Sequence, residues 1–290
     1  MKFTGLCFLL FFLLQNNMTV FAQTEEEISK ELKFINHLLG RQNNDEALFL
    51  LENLQSDNSL QQDTIYYLTG WTLYNQKALE ASAWYLAMVS RESSWFEKSN
   101  FFAAYNLTYL GEREKSLARL NLFDDNFSRE IIEMKNFQLA GISLLDRRLD
   151  DFQRYSAGFT GKLSFMAAEE EKLVNYYERI KSAPNRSPFL AGLMSAAVPG
   201  MGRIYAGKTA EGIAGFLYVG AMLAATYDFY NRLGSSNPFF LISAGLSGIF
   251  YIGNIWGSVI SVQRVKNEFN YEMDQRILLD IHIPLRKLFP

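Results

Sequence analysis

The chain has 290 residues, enough for one large domain or two modest ones. Its formal net charge is −3, but residues 23–188 carry 19 Lys and Arg against 25 Asp and Glu, whereas residues 189–290 carry 8 against 6. The sequence therefore divides into an acidic soluble part and an apolar, faintly basic part, and the lack of a broad basic patch argues against a nucleic-acid partner.

Residues 1–22 are typical of a secretory signal peptide. Lys2 supplies the positive start, Leu6–Leu14 is an apolar run, and Ala22 provides a cleavage site before Gln23. The alternative is an uncleaved anchor, for which the run is short. The only cysteine, Cys7, lies within this segment, so the exported chain would have neither disulfide nor thiol chemistry.

Residues 23–186 have the pattern of a helical-repeat domain. No proline occurs before residue 184, and apolar residues recur at intervals of three and four. A small residue followed four positions later by a large apolar one recurs about every 34 residues, as Ala47 and Leu51, Ser82 and Leu86, and Ser116 and Leu120; the partner helices align through Gly70, Ala104 and Ala140. Over residues 30–156 this pattern resembles tetratricopeptide repeats, which implies stacked helix hairpins.

In the register of that resemblance, six aromatic residues lie on the inner helices. They predict either an aromatic groove for an extended or helical peptide, or simply the domain core, which is the usual role of an aromatic stripe at helical spacing. The core interpretation is favoured. The six residues are Tyr67, Trp71, Tyr74, Phe101, Tyr105 and Phe137.

Three apolar segments follow the prolines at 184 and 188. Segments 212–227 and 233–263 predict transmembrane helices, whereas segment 187–202 could span the bilayer, lie in its interface, or dip in and return. Arg203 and Lys208 precede the second segment and Arg264 and Lys266 follow the third. The positive-inside rule places these basic flanks in the cytoplasm, so three spans are favoured for an exported domain; a re-entrant segment 187–202 would instead leave the tail outside.

A literal G-x-x-x-x-G-K-T match occurs from Gly202 to Thr209. A phosphate-binding P-loop needs a preceding strand, a following helix and a parallel sheet. Residues 193–198 could form such a strand, but the membrane helix at 233–263 leaves no βαβ units for a sheet. Nucleotide binding is therefore disfavoured.

The same stretch resembles the signature of the two-transmembrane-helix (TM2-like) domain, and of a related domain of unknown function in bacterial envelope proteins. The resemblance covers about residues 187–265 and implies a membrane location with no established enzyme chemistry. Arg203 stands where the family commonly has Gln. The residues that carry the resemblance are Pro199, Gly200, Gly202, Tyr205, Gly207 and Gly212.

Within segment 233–263, Gly253 and Gly257 form a small-xxx-small step that favours close helix contact, either within the chain or in a homo-oligomer, and Asn254 could hydrogen-bond between helices. After Arg264 the sequence predicts a helix to Arg276 and a short strand over residues 277–285, where apolar residues alternate. The only histidines are His37 and His282, and we find no metal-ligand spacing, cofactor motif or nucleophile–base arrangement.

These patterns predict an all-α protein of the bacterial cell envelope. Its parts are a signal peptide (1–22), a tetratricopeptide-like domain (23–186) exported to the periplasm, a glycine-rich domain in the inner membrane (187–265) and a tail (266–290). The favoured function is a scaffold or adaptor that presents the repeat domain to an unidentified protein partner at the bilayer. The alternative is an accessory factor for membrane-protein insertion or transport. An enzyme is not expected.

Overall fold

The computed structural model describes residues 25–289. It is 77% helical, and no strand occurs in the described residues, so the all-α prediction is confirmed there. The predicted signal peptide, its cleavage site and Cys7 lie outside this range. In chain order the helices are α1 (Glu25–Gly40), α2 (Asn44–Glu52), α3 (Ser59–Asn75), α4 (Leu79–Leu86), α5 (Phe96–Tyr109), α6 (Arg113–Leu120), α7 (Arg129–Leu145), α8 (Leu149–Ser156), α9 (Ala167–Lys181), α10 (Pro188–Ala197), α11 (Met201–Ala206), α12 (Thr209–Leu233) and α13 (Pro238–Leu288).

The chain makes the same tight turn after α1, α3, α5 and α7. In each turn one residue takes the left-handed backbone conformation: its N–H donates to the carbonyl three residues back, and the next N–H donates five residues back. This pair of bonds is the Schellman motif, which satisfies the last carbonyls of a helix. The left-handed residues recur about every 35 positions, as Gln42, Lys77, Gly111 and Arg147.

A second feature repeats between the paired helices. Ser82 on α4 donates a hydrogen bond to the carbonyl of Gly70 on α3 at 2.7 Å, and Ser116 on α6 donates to the carbonyl of Ala104 on α5 at 2.8 Å. Both serines are completely buried, as is Ala47 at the corresponding position of α2. Ser82 and Ser116 therefore mark the close approach of α3 to α4 and of α5 to α6.

The described chain forms two compact units that divide after Lys135, within α7. The first unit contains α1–α6 and the start of α7, and in it α3 packs on α4, α4 on α5 and α5 on α6. The second unit contains the rest of the chain to Leu288. The domain boundary predicted between residues 186 and 187 thus falls inside the second unit.

The last helix, α13, runs unbroken for 51 residues, so the strand predicted over residues 277–285 is wrong. The alternating apolar residues contain a helical stripe, because Ile277, Ile281 and Leu285 follow one another at intervals of four and are completely buried. Leu279, between them in the alternation, is 60% exposed. A run that is apolar at every second position also has apolar residues four positions apart, so it fits a strand and one face of a helix equally well. Here the helix forms, with that face packed.

Polar contacts attach the end of α13 to α7–α9 within the second unit. Asp280 is 5% exposed. It accepts a hydrogen bond from the Tyr176 hydroxyl at 2.5 Å and forms an ion pair with Lys172 Nζ at 2.8 Å. Arg147 Nη1 pairs with Asp274 at 2.8 Å, and Gln138 Nε2 donates to the carbonyl of Ile281 at 2.7 Å. We call this group of contacts the α13 clamp.

The clamp changes the ionisation of its donors. Burial, reinforced by the hydrogen bond to Asp280, raises the pKa of Tyr176 to about 12. The hydrogen bond to Asp280 also raises the pKa of Lys172 above its ordinary value. Both donors hold their protons at neutral pH in any case, and the raised pKa values extend their pairing with Asp280 to more alkaline pH.

Segment 187–202, which the charge pattern favoured as a third membrane span, contains no helix long enough to cross a bilayer. Helix α10 has 10 residues, or roughly 15 Å at the rise of an α-helix, against a hydrocarbon thickness of about 30 Å. The chain then reverses and returns through α11. Among the described residues, two helices are long and apolar enough to cross a membrane, α12 and α13.

The repeated serine bond gives a test of how the first unit is held together. Ser82 Oγ also accepts a hydrogen bond from Asn106 Nδ2 at 2.9 Å, so Ser82→Ala would leave two buried groups without their bond. We expect unfolding of the full chain in detergent to become easier by about 1–3 kcal/mol. Ser94→Ala, at an exposed position, is the control and should change nothing. Equal stability of the two variants would show that the buried bond contributes little.

Candidate functional site

The residues that carry the resemblance to the TM2-like signature lie in a short helical hairpin, α10–α11, and at the start of α12, with Pro199 and Gly200 at the tip of the hairpin. Gly200 has a φ of +83°, and a Cβ added there would lie 2.0 Å from the carbonyl oxygen of Gly212 on α12. A left-handed conformation and a backbone contact this close exclude every other residue type. The hairpin is therefore packed backbone to backbone on the start of α12.

The two arms of the hairpin also approach closely. A Cβ on Gly202 would lie 1.9 Å from the carbonyl oxygen of Ala191. The N–H of Gly202 donates to Ser195 Oγ at 2.9 Å, and Ser195 Oγ lies 2.7 Å from Ser258 Oγ on α13. This buried chain of bonds joins both arms to the long helix.

At the open end of the hairpin, polar groups connect it to the chain that precedes it. The Tyr205 hydroxyl accepts a hydrogen bond from the N–H of Ser187 at 3.1 Å, and Arg186 donates to the carbonyl of Ala206 at 2.6 Å. The Tyr205 ring packs on a small cluster of Ala191, Ala206 and Val262. The structure thus brings all six motif residues into one hairpin and its contact with α12.

The P-loop match does not have the surroundings that phosphate binding requires. Residues 193–197, which could have formed the preceding strand, belong to α10. Lys208, the lysine of the match, pairs with Glu268 on α13 at 3.0 Å. The similarity to a P-loop is therefore limited to the sequence, because Gly202 here allows α10 and α11 to touch.

Arg203, on α11, places its guanidinium in a cleft between α12 and α13 that is lined by glycines. Its Nη2 lies 2.5 Å from the position that a Cβ on Gly257 would occupy, and its Nη1 lies 3.6 Å from the corresponding position on Gly215. Asn254 Oδ1 lies 2.9 Å from that same position on Gly215. A charged group and an amide therefore share one small space, which we call the Arg203 cleft.

Three polar atoms of this cleft lack partners within residues 25–289. Arg203 Nε and both side-chain amide atoms of Asn254 are buried without a hydrogen bond, and Asn254 is 5% exposed. No ion pair engages Arg203 in that range either. Sequence reasoning noted both residues separately, but their meeting depends on the fold of the hairpin.

The two glycines of the small-xxx-small step on α13, Gly253 and Gly257, have different neighbours. Gly257 faces the guanidinium of Arg203, whereas a Cβ on Gly253 would meet nothing within 4 Å. One half of the step is thus filled from within the chain. A role for Gly253 and Gly257 in a homo-oligomer stays a prediction.

Most of the predicted aromatic groove is buried. Tyr67, Phe101, Tyr105 and Phe137 are at most 8% exposed, and Phe137 belongs to the second unit. Trp71 and Tyr74 are half-buried, stack at 5.2 Å, and Lys98 Nζ lies 4.3 Å from the Trp71 ring. These contacts fit the core interpretation for four of the six residues and leave Trp71 and Tyr74 partly accessible.

Two further observations concern chemistry. The described residues contain no group of three or more His, Cys, Asp and Glu side chains placed to hold a metal ion. Burial, together with the charge of Arg286, lowers the pKa of His282 to about 4, so this histidine is neutral at physiological pH.

Sequence reasoning missed the α13 clamp, although an aspartate within the apolar run at 277–285 was a signal of a buried acid.

The tip of the hairpin gives a direct test of its close packing. We expect Gly200→Ala to lower the thermal stability and the folded yield of the full chain, because its Cβ overlaps a backbone atom of α12 that cannot move alone. Gly245→Ala is the matched control, since a Cβ there meets nothing within 4 Å. Equal melting temperatures for the two variants, measured in detergent, would contradict the packing described.

Comparison of the chain with protein-family models, with curated proteins and with solved structures finds no match. The interpretation of the site therefore depends on its geometry.

Proposed function

We propose that this protein is a membrane-anchored scaffold of the bacterial cell envelope, which holds an exported helical-repeat domain at the bilayer and presents it to a partner protein. Support comes from three features: two long helices with apolar outer surfaces, a clamp that joins one of them to folded helices, and a repeat unit with exposed aromatic side chains. The second feature carries the proposal.

The apolar surfaces of α12 and α13 point outward. In the most apolar stretch of each helix, 11% of the residues are buried, whereas the core helix of a soluble protein is mostly buried. Leu217, Ile249, Ile252 and Trp256 are each 63–68% exposed. Such a surface is costly in water and favourable in lipid, which supports insertion of this helix pair into a membrane.

The continuity of α13 connects this pair to a folded domain. The helix passes without a break from its apolar part into the α13 clamp on α7–α9. A flexible linker would leave the orientation of the attached helices free, whereas one continuous helix with a buried ion pair fixes it. This arrangement is expected of a protein that holds a folded domain in a fixed orientation relative to its membrane helices.

The first unit carries the surface that a scaffold would offer. Its Schellman turns and buried serine bonds recur at the period expected of tetratricopeptide-like hairpins, which supports that interpretation. On α2–α4 an open groove of about 950 Å³ is lined by polar and aromatic residues, among them Asp57, Gln62, Tyr66 and Trp84. Trp84 is 57% exposed. We propose this groove, rather than the buried aromatic stripe, as the partner surface.

Two spans place the repeat domain and the tail of α13 on the same side of the membrane. In a variant without Cys7, we expect a membrane-impermeant maleimide to label Asp57→Cys and Tyr271→Cys from one side. Ser235→Cys, in the turn between α12 and α13, should be labelled from the other side. If Tyr271→Cys were labelled from the same side as Ser235→Cys, and Asp57→Cys from the other side, the chain would cross the membrane an odd number of times. The end of α13 would then lie on the opposite side from α7–α9, which would contradict the clamp.

The scaffold role is tested by site-specific crosslinking in intact membranes. We expect a photoreactive residue at Trp84 to form a discrete protein adduct, and one at Ile252 to react with lipid. A photoreactive residue at Val174, an exposed position on α9, is the control for nonspecific capture. The adduct at Trp84 should disappear when Asp57 and Gln62 are replaced by Ala while thermal unfolding is unchanged.

The second candidate function, assistance in membrane-protein insertion or transport, is favoured by the Arg203 cleft, because a charged side chain among membrane helices commonly marks a functional site. In the same crosslinking experiment, protein adducts at Ile252 without adducts at Trp84 would favour this function over the scaffold.

A further inference from the structure

The Arg203 cleft contains a cation and an amide that the described chain does not pair. Arg203 Nε and both side-chain amide atoms of Asn254 are buried without a hydrogen bond, and polar atoms left unpaired in this way are costly. We propose that the cleft binds a phosphate group, and that its source is the head group of an anionic phospholipid. The proposal depends on insertion of α12 and α13 into a membrane.

The donors present suit a phosphate oxyanion. Arginine offers a planar fork of N–H donors that matches phosphate and carboxylate oxygens, and Asn254 Nδ2, which is buried without a partner, is a further donor beside it. Both side chains surround the position that a Cβ of Gly215 would fill. The glycines at 215 and 257 thus let the guanidinium and the amide lie against the backbone of α12 and α13, where the Cβ of any other residue would displace them.

Two further cations lie at the C-terminal end of α11. Arg186 lies near Gly207 at the open end of the hairpin, with Nη1 2.7 Å from where a Cβ of that glycine would be. Lys208 lies there too and is already paired with Glu268. Three cations therefore lie along α11 and its ends, and among the described residues no acidic side chain pairs with Arg203.

The depth of the cleft favours a lipid over a soluble ligand. Gly257 precedes Gln263, the last residue of the uncharged run, by six residues, or roughly 9 Å along a helix. The run exceeds the thickness of the hydrocarbon core, so its ends reach the head-group region. Arg203 accordingly lies near the boundary between acyl chains and phosphates, on the side where basic residues flank the helices.

The test uses the full chain, purified in detergent and freed of lipid. Phosphatidylglycerol, phosphatidylcholine or inorganic phosphate is then added, and thermal unfolding and retained lipid are measured, the latter by native mass spectrometry. We expect phosphatidylglycerol to raise the melting temperature and to stay bound, and phosphatidylcholine to do so far less. Arg203→Gln should weaken phosphatidylglycerol binding about tenfold or more, as expected for the loss of a charged hydrogen-bond donor.

A matched pair of variants separates binding from folding. The Cβ of Gly257→Ala would displace the end of the Arg203 side chain, which is flexible, whereas Gly253→Ala meets open space on the same helix. We expect the first variant to lose the preference for phosphatidylglycerol and the second to keep it. If Arg203→Gln does not fold, this pair together with Asn254→Leu decides the question.

Three results would overturn the proposal: equal binding of both lipids by the native chain, an unchanged preference in Gly257→Ala and Asn254→Leu, or stabilisation by inorganic phosphate alone. The last would assign the cleft to a free anion. Resistance of each variant to alkaline extraction from membranes shows whether α12 and α13 are inserted. A lost lipid preference in an inserted chain therefore concerns the cleft, and failure of insertion concerns the proposed anchor.

Discussion

The arrangement of the second unit depends on one buried carboxylate. Asp280 lies in the apolar stripe with which α13 packs against α7–α9, and the Tyr176 hydroxyl and Lys172 ammonium pair with it. Tyr176 is buried beside it whereas Lys172 is 46% exposed, so the hydroxyl hydrogen bond is the part of the pairing that water cannot replace. The same stripe packed in a shifted register would bury the carboxylate without these donors. Asp280 therefore sets the register of the helix, while Ile277, Ile281 and Leu285 supply its hydrophobic stabilisation.

That register has consequences along the whole helix. Because α13 is unbroken, the rotation fixed at Asp280 also determines which faces of the apolar part meet α10–α12. Ser258 reaches Ser195 and Gly257 faces Arg203. A kink or loop between the two parts would decouple them. One helix thus serves two environments, with polar pairing at one end and close backbone contact at the other.

The sequence predicted the helical content, because the spacing of apolar residues and the missing prolines before residue 184 are local signals. It also singled out Ser82 and Ser116, which bond to the backbone of the neighbouring helix. The sequence-based prediction was wrong where one residue pattern was compatible with two structures. The alternation at 277–285 fits a strand until the packing partner of Ile277, Ile281 and Leu285 is known. The positive-inside rule favoured three spans because charge says nothing of the reversal at Gly200, which depends on contact with Gly212.

The meeting of Arg203 with Asn254 was beyond sequence reasoning for a related reason. The residues lie about fifty positions apart, and what joins them is the absence of side chains at Gly215 and Gly257. Glycine at those two positions lets α11 lie deep against α12 and α13, which draws the guanidinium among apolar helices. The same absence of a Cβ is what lets the end of the Arg203 side chain lie against Gly257. The glycines therefore do two things that side chains could not do together: they bring the helices into backbone contact, and they keep a charged group accessible at the edge of the apolar region.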